Sequence, residues 1–355
     1  MRNSEKPIAG KACCTANPID CPIDSSANMI VKEPLEAAVL RTLLYFDIFD
    51  YPLTKNEIVR HLPVKLTDQH QLINALNLLE QDGLITELKG YRFISGSSPT
   101  IVAKRLQRES RAKQLWKRAQ SISSMIRHVP FVRAIFISGS LAHAQADPGG
   151  DIDYFIVTEP NRLWLVRTFL VLVRRTLFLN KRTYLCLNYF VTTDHLLITE
   201  RQVYAACETA SLRPIYNPSL YAQFAKKNRW ITDFYPNFFC VSDANFAPIT
   251  KNASAVQKIV EKLVPSRLAL RLDQRLMNTT TNFWRKKYPT MTKEKRDVVL
   301  RTTRHESRAH ADDYSDKILS TYAASLAKYH LSLLTISQSV VSGHPPLSNN
   351  QETDG

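Results

Sequence analysis

Between residues 137 and 157 the chain reads ISGSLAHAQADPGGDIDYFIV, in which Gly139-Ser140 is followed, after a spacer of ten residues, by Asp151-Ile152-Asp153. Side chains alternate along a strand, so Asp151 and Asp153 project to one side while Ile152, Tyr154 and Ile156 project to the other. Two carboxylates held side by side repel each other unless a cation sits between them. Mg²⁺ suits such a pair, because it is a hard ion that takes a few carboxylates and completes its shell with substrate phosphates. Two such ions stabilise both the attacking and the leaving oxygen of a phosphoryl displacement.

The elements that must position these groups are short and sharply bounded. Phe131–Ser138 (FVRAIFIS), between Pro130 and Gly139, is rich in β-branched and aromatic residues and predicts a buried strand. The chain has nine glycines, and Gly139, Gly149 and Gly150 all fall between positions 139 and 150, so backbone freedom is concentrated there. Gly139 allows the turn, and Ser140 opens a short helix whose backbone donors and hydroxyl can hold a triphosphate. Asp147-Pro148-Gly149-Gly150 is a loop signal that delivers the chain into a second strand, DIDYFIVT. His143 lies near the turn and can touch a nucleotide, although a lone histidine is more often structural. Arg162 and Arg167 sit on the next helix, expected over Arg162–Leu179, and either reach toward phosphate or form a plain basic helix face. Read singly, Asp151 is a loop exit and Asp153 the polar edge of a strand; the combination favours a site.

Strand, Gly-Ser, spacer and Asp-hydrophobic-Asp together resemble the signature of the DNA polymerase β nucleotidyltransferase superfamily. The run from PFVRAIFISGSLAHA through DIDYFIVTEPNRLWLVRTFL, LCLNYFV and AACETASLRPIYN is similar to bacterial nucleotidyltransferase-domain proteins. The likeness covers about a third of the chain strongly. It implies a mixed sheet with helices on one side, Mg²⁺ held by Asp151 and Asp153, a nucleoside triphosphate held at Gly139 and Ser140, and transfer of a nucleotidyl group to a hydroxyl. It does not name the acceptor.

Active members of that superfamily usually carry a third carboxylate on a later strand, which here is expected over Tyr184–Thr192. The matching position holds Asn188. An amide oxygen can ligate a metal, but it carries no charge and is no base. Three explanations stay open. Asp194 shares the parity of Asn188 and would face the same way if the strand ran on. A metal-bound water could lose its proton to phosphate or solvent. Or the domain binds nucleotide without transferring it, as a regulator that also binds nucleic acid.

Other clusters point to structure. His305 and His310 are five apart, about 140° around a helix, which argues against zinc and for a solvated helix surface. Asp312, Asp313 and Asp316 predict a helix start. Cys13, Cys14 and Cys21 lie in a Pro-, Ser- and Asn-rich leader without metal-ligand spacing, and Cys186, Cys207 and Cys240 stand among apolar residues as core thiols.

The chain of 355 residues carries a formal net charge of +15, with basic clusters between Lys104 and Arg133, at Arg174, Arg175, Lys181 and Arg182, and from Arg267 to Arg308. Such a surface favours a polyanion, either nucleic acid or the nucleotide itself. No stretch predicts a membrane span, and residues 1–30 lack an apolar segment, so the expected location is the cytoplasm.

The fold class expected is α+β, in six stretches. A disordered leader (1–32) precedes a winged-helix-like domain (33–98), with helices over Pro34–Phe46, Thr54–His61 and Thr67–Gln81 and a hairpin of LITEL and YRFIS. Its third helix shows a stripe of Leu72, Ile73, Leu76 and Leu79 and an outer face (Gln69, His70, Gln71, Asn74, Asn77) without arginine, which suits a structural or protein-contact role better than DNA reading. A linker helix (99–128), the nucleotidyltransferase core (129–248), a C-terminal helical region (249–335) and a disordered tail (336–355) follow. The acceptor, whether nucleic acid, protein or small molecule, and the oligomeric state stay open at this level.

Overall fold

The computed structural model describes residues 34–240, 255–309 and 314–333; the leader, the tail, His310, Asp312 and Asp313 lie outside the described residues. The described residues fall in one compact unit. It begins with α1 (Leu35–Asp47), β1 (Leu53–Thr54), α2 (Lys55–His61), α3 (Gln69–Gln81), β2 (Ile85–Leu88) and β3 (Tyr91–Ile94). Thr54 starts α2 through a capping box, its hydroxyl accepting from Glu57 N while the Glu57 carboxylate accepts from Thr54 N at 2.8 Å. Asp68 caps α3 by accepting from His70 N. Lys89 and Gly90 both have positive φ, as a two-residue hairpin turn demands, and they join β2 to β3; β1 adds to the other edge of β3. The buried stripe of α3 is Leu72, Ala75, Leu76 and Leu79, whereas Ile73 is exposed, because one residue past Leu72 is rotated about 100° away from the seam.

The expected linker helix is α4 (Thr100–Ile126). Then come β4 (Val132–Ser138), α5 (Gly139–Ala142), β5 (Asp153–Thr158), α6 (Leu163–Thr176), β6 (Cys186–Thr192), α7 (Val203–Ser211), β7 (Arg213–Tyr216) and α8 (Pro218–Lys227). Beyond them lie α9 (Ala255–Leu263), α10 (Ser266–Lys287), α11 (Lys293–Val299), β8 (Glu306–Arg308) and α12 (Tyr314–Lys328). Five strands form a mixed sheet in the order β7-β4-β5-β6-β8, in which only β5 and β6 are parallel. Among the described residues no helix is long and apolar enough to cross a membrane.

The sheet is covered on both faces, where the resemblance implied helices on one side. Ile135, Ile137, Tyr154, Ile156 and Phe190 pack with Trp116 of α4, Trp164 and Leu170 of α6 and the flank of α10. Phe136, Phe155, Val157 and Val191 pack on the opposite face with α7, α8, the N-terminal module and α12. That second core is continuous from Leu44 and Leu76 through Phe155 to Leu326, so the N-terminal module is seated on the sheet by shared apolar contacts. Arg105 pins it further. This guanidinium, only 3% exposed, bridges Glu57 and Glu109, donates to the carbonyl of Pro52 and lies over the ring of Tyr51.

The stretch read as helix around His305 contains the edge strand β8. Glu306 and Ser307 are buried there, and Glu306 accepts from Tyr189 and pairs with Arg301 and Arg308, so tertiary pairing with β6 overrides local helical tendency. Asp316 does fall in the first turn of α12. Asp273 of α10 caps α6, accepting from Trp164 N and Leu165 N at 2.8 and 2.9 Å.

Candidate functional site

The Gly-Ser turn and the first residue of β5 meet at one end of the sheet. Ser138 stands opposite Asp153 in the antiparallel β4–β5 ladder, and Gly139 follows at φ +64°. A Cβ on Gly139 would lie 2.3 Å from Oδ2 of Asp153, so only glycine leaves room for the carboxylate. Ser140 is exposed beside it, and its carbonyl accepts from His143 N and Gln145 N. Asp151 precedes β5 itself, while Ile152 between the two acids is fully buried in the α4–α6 core. Asp153 therefore begins the opposite face. Burial pushes its carboxyl up to about 6, with the charge of Asp151 adding and hydrogen bonds from Cys186 and Asn188 opposing.

Asn188 lies on β6, the strand beside β5. The β5–β6 register slips between Tyr154 and Phe155, which pair with Leu187 and Tyr189, so Asn188 is the unpaired residue of a bulge. Its amide donates to Oδ1 of Asp153, and its Oδ1 accepts from Cys186 Sγ at 3.1 Å.

Across the cleft stands a carboxylate that sequence reasoning passed over. Glu208 of α7 is pushed up to about 7 by burial and then by the charge of Asp153, although 37% of its side chain is exposed. Tyr204, one turn earlier, senses the charges of Glu208 and Asp153. The Nε2 of His143 lies 4.0 Å from Oε1 of Glu208. Burial, with His61 and Arg213 adding, pushes that imidazole down to about 3, so it is neutral and the contact is no ion pair. Between the turn and α2 lies a cavity lined by Tyr51, Glu57, Arg60, His143, Ser211 and Arg213. Tyr51 donates to the His143 carbonyl at 2.9 Å and Arg213 to that of Ala142, which ties the turn to both walls. The sequence signal available for Glu208 was an acid in an otherwise small and apolar helix, CETAS, within the similar run.

Two candidates stand elsewhere. Asp194 lies past the far end of β6, exposed and paired with His305 at 3.5 Å. The six residues from Asn188 to Asp194 correspond to about 20 Å of strand, so shared parity does not bring Asp194 to the site. Arg162 precedes α6 beyond Thr158, at the end of β5 opposite Asp153, where it lies over the ring of Phe131 at 5.2 Å. Cys186 and Cys207 are buried free thiols, as expected.

Among the described residues no cluster of three or more His, Cys, Asp or Glu groups is arranged to hold a metal. The Asp151 and Asp153 pair still fits a hard cation on chemical grounds. Its donors are oxygens, both side chains are partly exposed, and mutual repulsion together with burial disfavours full ionisation without a counter-charge. Compared with known proteins, the chain matches no family model, no curated relative and no solved structure. Geometry alone therefore carries the functional reading.

Proposed function

We propose that this protein is a Mg²⁺-dependent nucleotidyltransferase of the polymerase β type, moving a nucleotidyl group from a nucleoside triphosphate to a hydroxyl acceptor. The observation that supports the reading is the close approach of Gly139 to Asp153 at the sheet end, with Asp151 two residues before Asp153 and Glu208 near enough to feel the charge of Asp153. Asp151 and Asp153 would hold the ion, which when bound neutralises phosphate charge and polarises the reacting phosphorus centre. Gly139 gives Asp153 the space it needs, and Ser140 presents its hydroxyl at the same turn. Asn188 orients Asp153 through its amide and supplies no charge. Glu208, with a carboxyl near neutrality, accepts the proton of the acceptor hydroxyl. His143 stays neutral and lines the wall beside Glu208.

The N-terminal module has the helix and strand order of a winged helix, and in this reading it serves as the second wall of the cleft. Labelled nucleoside triphosphates with Mg²⁺ and a panel of hydroxyl acceptors test the proposal. Transfer should vanish in Asp151→Asn and Asp153→Asn, and label transfer that survives both changes would sink it.

The second reading is a nucleotide-binding regulator without turnover. It is favoured by Asn188, which places an amide where the third acid of the strand set would stand. Saturable nucleotide binding, with no transfer to any acceptor and no loss in Glu208→Gln, would decide for it.

A further inference from the structure

Helix α6 carries two enclosed cations without counter-charge. Arg167 and Arg174 are seven residues apart and so share one helix face. Both are partly buried, and the Nε of each is shut off from solvent with no hydrogen-bond partner. Arg167 lies 5.7 and 5.9 Å from the ring centroids of Trp164 and Phe190. Among the described residues neither guanidinium meets a carboxylate. The groups that act on Arg174 are Arg182, Arg175 and Cys186. Arg182, in the turn before β6, is exposed, as are Arg175 and Lys181.

Two other enclosed guanidinium groups do meet carboxylates. Arg105 is matched by Glu57 and Glu109, and Arg308 by Glu200 and Glu306. Desolvation lowers Arg167 to about 10, with Arg174 adding, whereas Tyr51 with Glu57 and Glu109 raises Arg105, and Tyr189 with Glu200 and Glu306 raises Arg308, against the effect of burial. A buried charge without a partner is costly, and it persists where an external anion completes it.

We infer that α6 and the Arg182–Tyr184 turn form a phosphate-binding track, with Arg167 innermost, Arg174 next and Arg182 at the mouth. Arg174 lies near enough to Cys186 to feel it, and Cys186 donates to Asn188, whose amide donates to Asp153. Guanidinium groups spread over two helical turns and a loop suit a chain of phosphates, which a planar fork grips through paired oxygens. The shared chemistry is phosphate oxygen, carried either by the triphosphate of a nucleotide or by the backbone of a nucleic-acid acceptor. Its place as a substrate arm rests on the transferase reading; binding itself does not.

The test is anion binding by the full chain in EDTA, followed by anisotropy and thermal shift, with tripolyphosphate and a labelled oligothymidylate as probes. Wild type should bind at least one probe and be stabilised by it. Arg167→Met with Arg174→Met should weaken binding about tenfold or more, and for the oligonucleotide should flatten the salt dependence by about one unit of slope. Without ligand that double variant should melt no lower than wild type, because methionine keeps the apolar contacts and removes the enclosed charges. Arg174→Gln is the milder second variant, with a smaller loss of binding expected. Tripolyphosphate that displaces the oligonucleotide places both on the track, and preference for either names the source. Failure of both probes to bind at low salt, or equal binding by wild type and the variants, would overturn the inference. Asp151→Asn with Asp153→Asn should leave EDTA binding intact, so loss of transfer and loss of the track are read apart.

Discussion

Gly139 and Asp153 face each other so closely that a Cβ on the first would lie 2.3 Å from Oδ2 of the second. The glycine also holds φ +64°, which L side chains rarely adopt. Gly139→Ala therefore combines a strained backbone with a displaced carboxylate. It should destabilise the fold by about 1–3 kcal/mol in urea titrations. It should also weaken Mg²⁺-dependent stabilisation; an alanine variant with wild-type melting and metal response would show that Asp153 yields without consequence.

Asn188→Asp would set a third carboxylate where the amide now donates to Asp153. Without metal the new repulsion should lower the melting temperature. With Mg²⁺ the order should reverse, since three acids bind a cation more tightly than two. Melting curves in EDTA and in Mg²⁺ check this, and a drop of equal size in both would mean that no ion enters.

The pH response of Asp153 has a defined sign. Its carboxyl is raised from 3.8 to about 6, so the folded state holds the proton more tightly than the unfolded chain does. That contribution is fully present below the unfolded value and is lost as pH rises through about 6. Relative to Asp153→Asn, which cannot ionise, wild type should lose up to about 3 kcal/mol between about pH 4 and pH 7, an upper limit because the group is partly solvated. His143, pushed down to about 3, acts in the opposite sense, but it is present in both proteins. Urea midpoints measured across this range decide the matter, and parallel curves would refute the shift.

Glu208→Gln removes the proposed base and keeps the shape. In the transfer assay kcat should fall by about 10²–10⁴ while nucleotide affinity stays within a few fold. The acidic limb of the wild-type rate profile should lie near pH 7, set by the raised carboxyl of Glu208. An unchanged kcat would assign proton removal to solvent.

Arg105→Ala strips both Glu57 and Glu109 of their buried partner and frees the ring of Tyr51, whose hydroxyl holds the His143 carbonyl. Breaking one side of such a network costs about 3–5 kcal/mol. Chemical denaturation should show that loss, and nucleotide binding should weaken with it because the turn is no longer held from the module side. A loss below about 1 kcal/mol would place Arg105 among the weak surface pairs.

The amino-acid order by itself determined whatever depends on neighbours in the chain. Thr54 with Glu57 and the Lys89-Gly90 turn are local chemistry, so the start of α2, the end of α3 and the hairpin were legible. The same holds for the strand before Gly139 and for the burial of Ile152 between two acids, since alternation needs only the next residue. Parity, however, says which face a residue takes and not where along the strand it lies. That is why Asn188 and Asp194 read alike in sequence, while a bulge in the β5–β6 register seats only the first beside Asp153. Strand pairing across a long separation likewise made β8 from residues that read as helix surface. Glu208 became part of the cleft only when α7 packed across the sheet end from Asp153, and Arg167 was left without a carboxylate only because none of the packed elements brings one to it. Desolvation and counter-charge are properties of three-dimensional neighbours, so the tertiary structure alone decided which of these charged groups stand ready to meet a ligand.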